Sequence, residues 1–225
     1  MRPKFLFSLC IAGIIILLGS FSAFASMYTY SFYNITNTIP ANVEIGKAQL
    51  SVDVTDIGVA SNQVLFTFWN KGDDSCTISE IYFDDGSLLG IAELIDKNSG
   101  GDPGVDFDEG ANPPNLPNWD NAVPPFIATA SFSSQANNPA PQKGVDPGEY
   151  LGIIFNLQTG RTFDDVIDDL STGDLRIGLH VTNFELGESE SFINIVPIPA
   201  TVWIFGAGIL GLFGIRRKLS RHIVP

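Results

Sequence analysis

Apolar and polar residues alternate with period two along much of this chain, a pattern typical of strands that bury one face. Residues 48–55, 126–133 and 175–182 show this alternation. Residues 64–69 are apolar on both faces, which predicts a central strand. The other predicted strands are 28–35, 76–83, 87–94, 150–157 and 191–195. The pattern therefore predicts nine strands in all.

One segment has helical spacing instead. Phe163, Val166 and Leu170 fall on one face, Thr162 is the predicted N-cap, and Gly173 is the predicted end. Many short strands separated by turn signals, with one short helix, predict an all-β fold. We expect an antiparallel β-sandwich or jelly-roll-like domain over residues 26–195.

The first 25 residues have the pattern of a secretory signal peptide. A positively charged start is followed by an apolar run and then by small residues. Ala23 and Ala25 form an Ala-x-Ala triplet, which predicts cleavage before Ser26. An uncleaved N-terminal anchor is the alternative.

The C-terminal segment predicts a transmembrane helix. No charged residue occurs from Ile195 to Ile215, and a helix of that length spans about 30 Å, the thickness of the hydrocarbon core. The basic residues Arg216, Arg217 and Lys218 follow at once, which predicts that this end stays cytoplasmic. A simple stop-transfer anchor is one interpretation of residues 196–225.

A short proline motif precedes this apolar run and makes a second interpretation available. The motif is Val196, Pro197, Ile198, Pro199 and Ala200. Together with the Gly-rich apolar helix and the basic cluster, it resembles the PEP-CTERM sorting signal in its VPLPA-type variant. It lacks the central Glu of the commonest form, and seven residues follow the basic cluster.

The resemblance implies a route and a partner. A protein of this kind is exported by the general secretory pathway and held in the membrane by its C-terminal helix. An exosortase-type enzyme then processes it near the proline motif, in bacteria that make extracellular polysaccharide. Pro197 and Pro199 lack N–H donors, so the motif should stay extended outside the membrane. The expected location is first the membrane, and then the cell surface or medium.

The body between the two ends is strongly acidic. All 25 acidic residues lie within residues 26–195, with only six basic residues, which gives a formal charge of −19. This balance excludes a nucleic-acid partner, because neutralising phosphates requires clustered Lys and Arg. It leaves calcium open as a ligand, since Ca²⁺ prefers carboxylate oxygens.

Calcium is the sharpest local hypothesis, and no other cofactor is predicted. Asp106 and Asp108 alternate in a long Gly- and Pro-rich loop over residues 96–125. Asp84 and Asp85 precede Gly86 in a predicted hairpin turn and could complete the site. The alternative is a solvated acidic loop.

Few other residues indicate a ligand or a reaction. Trp69, Tyr82 and Trp119 are candidates for stacking on sugars, although core packing also explains them. Cys76 and His180 could form a nucleophile and a base only if the fold brought them together. No catalytic residues are predicted. The leading hypothesis is an exported, non-enzymatic surface or matrix protein; the alternatives are a carbohydrate- or calcium-binding module and, less favoured, a secreted hydrolase.

Overall fold

The computed structural model describes residues 26–84 and 86–196, and this part of the chain is mostly antiparallel β-sheet with two short α-helices. The helices are α1 (Pro40–Gln49) and α2 (Phe163–Thr172). The strands are β1 (Met27–Asn34), β2 (Leu50–Thr55), β3 (Gln63–Asn70), β4 (Thr77–Asp84), β5 (Leu88–Ile95), β6 (Phe107–Glu109), β7 (Ser133–Ala136), β8 (Tyr150–Leu157), β9 (Arg176–Thr182) and β10 (Glu190–Asn194).

All ten strands belong to one sheet, in the order β5-β8-β3-β2-β1-β10-β9-β4-β7-β6. We call β5 to β1 the first half and β10 to β6 the second half. The halves fold towards each other and share one core, in which the Phe83 ring lies 5.1 Å from Phe66 and 4.6 Å from Phe155. The sheet nearly closes, because Lys97 N, just after β5, donates to the carbonyl of Val105, just before β6, at 2.9 Å.

Eight of the nine predicted strands are confirmed, each within two residues at its ends. The prediction of a strand over 126–133 is wrong. Ser131 has a φ of 68°, which interrupts extended backbone, and the two aromatic residues of this segment enter different clusters. Phe126 packs in a small outer cluster, whereas Phe132 packs in the main core.

The predicted helix is confirmed, and a second helix accompanies it. Thr162 and Asp165 form a capping box at the start of α2, and Gly173 ends the helix with a φ of 84°. α1 begins at Pro40, where a missing N–H costs nothing. It packs so tightly on β10 that a Cβ at Gly46 would overlap the Phe192 ring, so glycine is required there.

The Pro-rich segment over residues 111–128, which we call the cover loop, lies on the outer face of the second half. Leu116, Ala122 and Phe126 from this loop pack on Tyr82 and Ile193 from the sheet. The second part of the long loop predicted over residues 96–125 therefore forms a third layer with its own small core, whereas the first part contains the short strand β6.

Candidate functional site

The two predicted processing points lie at the margins of the described residues. Ser26 is held at the sheet, where its carbonyl accepts a hydrogen bond from Thr55 Oγ1 at 3.0 Å. Val196 lies beside the C-cap of α2, since a Cβ at Gly173 would be 3.5 Å from Val196 Cγ2. The other residues of both signals lie outside the described part of the chain: Ala23, Ala25, Pro197, Ile198, Pro199, Ala200, Arg216, Arg217 and Lys218.

Between residues 26 and 196, no helix is both long and apolar enough to cross a membrane. The predicted span over 195–215 falls almost entirely outside these residues.

Asp106, a predicted calcium ligand, is buried in a network of cations and amides. Its Oδ2 accepts from Lys97 Nζ at 2.5 Å and from Lys143 Nζ at 2.7 Å. Its Oδ1 accepts from Asn98 Nδ2 at 3.2 Å and Asn137 Nδ2 at 3.1 Å. The hydrogen bonds from Lys143 and Lys97 lower the pKa of Asp106 well below its usual value. The carboxylate therefore fastens three loop segments together.

The other predicted calcium ligands are not gathered around Asp106. Asp84 Oδ2 accepts from Arg176 Nε at 2.8 Å, and Asp108 is exposed on β6. The predicted hairpin at Gly86 is wrong, because β4 pairs with β7 and β9, whereas β5 pairs with β8. Asp85 lies outside the described residues, and those that are described contain no group of three or more His, Cys, Asp or Glu side chains that could hold a metal ion.

Arg176 fastens the cover loop to the sheet. Besides Asp84, its guanidinium donates to the carbonyls of Pro124 and Pro125 at 2.7 and 2.8 Å. The guanidinium carbon also lies 5.3 Å from the centre of the Phe126 ring. One planar, permanently charged group thus satisfies two loop carbonyls and covers an aromatic ring.

An aromatic pair lies on the outer face of the first half. Trp69 on β3 is paired in register with Tyr150 on β8, and their rings are 5.0 Å apart at 41°. Trp69 Nε1 donates to Asp53 Oδ2 at 2.8 Å, which fixes the orientation of the indole. Thr29 Oγ1 donates to the other oxygen of Asp53 at 2.5 Å, and Lys71 Nζ lies 5.2 Å from the centre of the Trp69 ring.

Hydroxyl groups continue this surface across the neighbouring strands. Ser31 and Ser51 lie in the same cross-strand row as Trp69, and Thr67 lies in the row of Thr29 and Asp53. Residues paired directly across antiparallel strands project from the same face. We call this surface the Trp69 face; it consists of Thr29, Ser31, Ser51, Asp53, Thr67, Trp69, Lys71 and Tyr150.

The other two aromatic candidates are placed differently. Tyr82 is completely buried beneath the cover loop, where its hydroxyl lies within hydrogen-bonding distance of two acceptors, Glu80 Oε2 at 2.8 Å and Pro113 O at 3.0 Å. The prediction that Tyr82 could stack on a sugar is therefore wrong. Trp119 lies in the cover loop with 38% of its surface exposed.

Cys76 and His180 do not form a catalytic pair. Cys76 is buried in the main core, within hydrogen-bonding distance of Gln49 and Asn70, and burial raises its pKa to about 11. His180 Nδ1 instead lies 3.0 Å from Glu80 Oε2, on the outer face of β9. A thiol with a raised pKa is a poor nucleophile at neutral pH.

Glu190, a carboxylate that accepts four hydrogen bonds, gave no signal in the sequence. It is fully buried at the start of β10. Its oxygens accept from Asn34 Nδ2 at 3.0 Å, Thr38 N at 3.1 Å and Ile39 N at 2.7 Å, and also from the Thr36 hydroxyl. Burial opposes ionisation, but these hydrogen bonds together outweigh it and lower the pKa of Glu190.

Comparisons with protein-family models, with curated proteins and with solved structures returned no match for this chain.

Proposed function

We propose that this chain is an exported cell-surface or extracellular-matrix protein, delivered by its C-terminal sorting segment and processed there by an exosortase-type enzyme. The observation that carries this proposal is where the described sheet begins and ends. β1 begins at Met27, one residue after the predicted signal cleavage, and β10 ends at Asn194, just before the proline motif. Cutting at both points would leave every strand of the described sheet intact.

The arrangement of these two strands supports the proposal further. β1 and β10 are antiparallel neighbours, and Ile195 N donates to Ser31 O at 2.8 Å. After β10 the chain therefore continues along β1 in the direction of Met27, where β1 begins. A domain attached in this way can be anchored or released without disturbing its core.

Three side chains that are buried and hydrogen-bonded within the domain support a structural, non-catalytic role. Asp106 joins loop segments, Glu190 orders the backbone before α1, and Cys76 is part of a buried network. The two halves of the sheet share a single core, which supports grouping the domain with β-sandwiches.

Replacing the proline motif tests the sorting proposal. A Pro197→Ala/Pro199→Ala variant, expressed in the source organism, should remain in the membrane fraction with its C-terminus uncut, while the wild-type domain appears at the surface or in the medium. A matched control, Pro103→Ala in an exposed turn far along the chain, should be processed normally. Equal release of the motif variant and the wild type would refute processing at this motif.

A further inference from the structure

We infer that the Trp69 face binds a neutral polysaccharide chain. Trp69 and Tyr150 are both partly exposed, and their rings, on two adjacent strands, lie 5.0 Å apart with their planes tilted by 41°. Aromatic rings offer an apolar surface on which the C–H faces of a sugar can stack. The pair therefore provides the stacking element of such a site.

The hydrogen-bonding element lies beside the rings. Ser31 and Thr29 on β1 are exposed, and Asp53 and Thr67 are partly exposed, whereas the Ser51 hydroxyl between them is buried and is not available to a ligand. Four strands, from β1 through β2 and β3 to β8, give a surface about 14 Å across at the usual strand spacing. That width accommodates more than one sugar ring, with C–H faces on the aromatic side and hydroxyls on the polar side.

The face is already organised before any ligand binds. Asp53 fixes the indole through Nε1, and Asp53 is itself held by Thr29. Both aromatic side chains project from strands that have a hydrogen-bonded neighbour on each side. β3 lies between β2 and β8, and β8 lies between β3 and β5. Rigid aromatic groups lose little conformational freedom on binding, which favours affinity.

The charges on the Trp69 face and on the rest of the domain favour a neutral polysaccharide. Lys71 Nζ lies 3.8 Å from Asp53 Oδ2, so the two charges on the face balance each other. The rest of the domain is strongly acidic, which repels polyanions. A neutral chain thus fits this face better than an acidic one. This inference does not depend on export or on C-terminal processing, so its test and that of the proposed function can fail separately.

The three tryptophans of the chain make a direct test possible. A Trp119→Phe/Trp203→Phe variant of the full chain, solubilised in detergent, keeps Trp69 as its only tryptophan. The matched Trp69→Phe/Trp203→Phe variant keeps only Trp119. Each is titrated with laminarin, dextran and hydroxyethylcellulose as neutral probes and with alginate as a polyanion, while tryptophan emission is followed.

We expect at least one neutral probe to change Trp69 emission saturably while Trp119 emission stays constant. Tyr150→Ala, introduced into the Trp69-only variant, should then weaken binding by about tenfold or more, as truncation of a stacking partner does. A melting curve establishes that this variant is folded. The inference is overturned if none of the neutral probes changes Trp69 emission, if both single-tryptophan variants respond alike, or if alginate binds most tightly.

Discussion

Replacing Glu190 by Gln should destabilise the domain more than any exchange of an exposed acidic residue. Both carboxylate oxygens of Glu190 accept hydrogen bonds, and the donors come from Asn34 at the end of β1 and from the segment between β1 and α1. Glutamine keeps the shape but turns one acceptor into an N–H₂ group that faces other donors. The substitution therefore removes the charge and leaves buried donors without a partner.

The size of the effect follows from these contacts. Losing charge-assisted hydrogen bonds and leaving a buried donor unsatisfied should cost about 3 kcal/mol in the free energy of unfolding. For a domain of this size, each kcal/mol lowers the Tm by roughly 2–4 °C, so Tm should fall by about 6–12 °C. Thermal unfolding followed by circular dichroism measures this, with Glu185→Gln, an exposed position, as the matched control.

The pH dependence gives a second test of the same reasoning. The pKa of Glu190 in the folded protein is lowered from an ordinary value of 4.5. Its stabilising contribution is therefore complete above pH 4.5 and is lost as the pH falls through the folded-state pKa. The difference between the wild type and Glu190→Gln should shrink in that acidic window. Equal Tm values at neutral pH, or a difference that grows on acidification, would refute this account.

Three further changes test other parts of the fold. Asp106→Asn should lower the free energy of unfolding by about 2 kcal/mol, whereas the control Asp108→Asn should leave it unchanged. Millimolar calcium should not raise the Tm of the wild-type protein. Thermal melts measure all three results. Arg176→Lys should increase hydrogen exchange in the cover loop, measured by mass spectrometry, whereas Arg161→Lys should not, because only Arg176 bridges loop carbonyls. Thr162→Ala should cost about 1 kcal/mol through loss of the α2 cap, again by thermal melt.

Local patterns predicted most of the strands and one helix because their causes are local. Residues 175–182 alternate between apolar and polar as a half-buried strand does, and β9 lies at Arg176–Thr182. Thr162 and Gly173 carry capping information within a few residues of α2. α1 was missed because it lacks a clear apolar face and contains Gly46, whose role depends on Phe192, far along the chain.

The parts that the sequence did not predict depend on distant contacts. Phe126 and Phe132 alternate like strand residues, yet they pack in two different clusters on opposite sides of the sheet. Asp106 resembled a calcium ligand because the lysines that reach it, Lys97 and Lys143, come from other segments. Glu190 was inconspicuous for the same reason. Which strand is next to which is likewise a long-range property that periodicity does not carry.

The most direct test of the central claim is the intact mass of the wild-type protein from its source organism, measured in the membrane fraction and in the medium. Export followed by sorting predicts a released species that begins at Ser26 and ends within Val196–Ala200. If only a membrane-bound species that ends at Pro225 is found, the C-terminal segment is a permanent anchor, and the proposal of processing at the proline motif is contradicted.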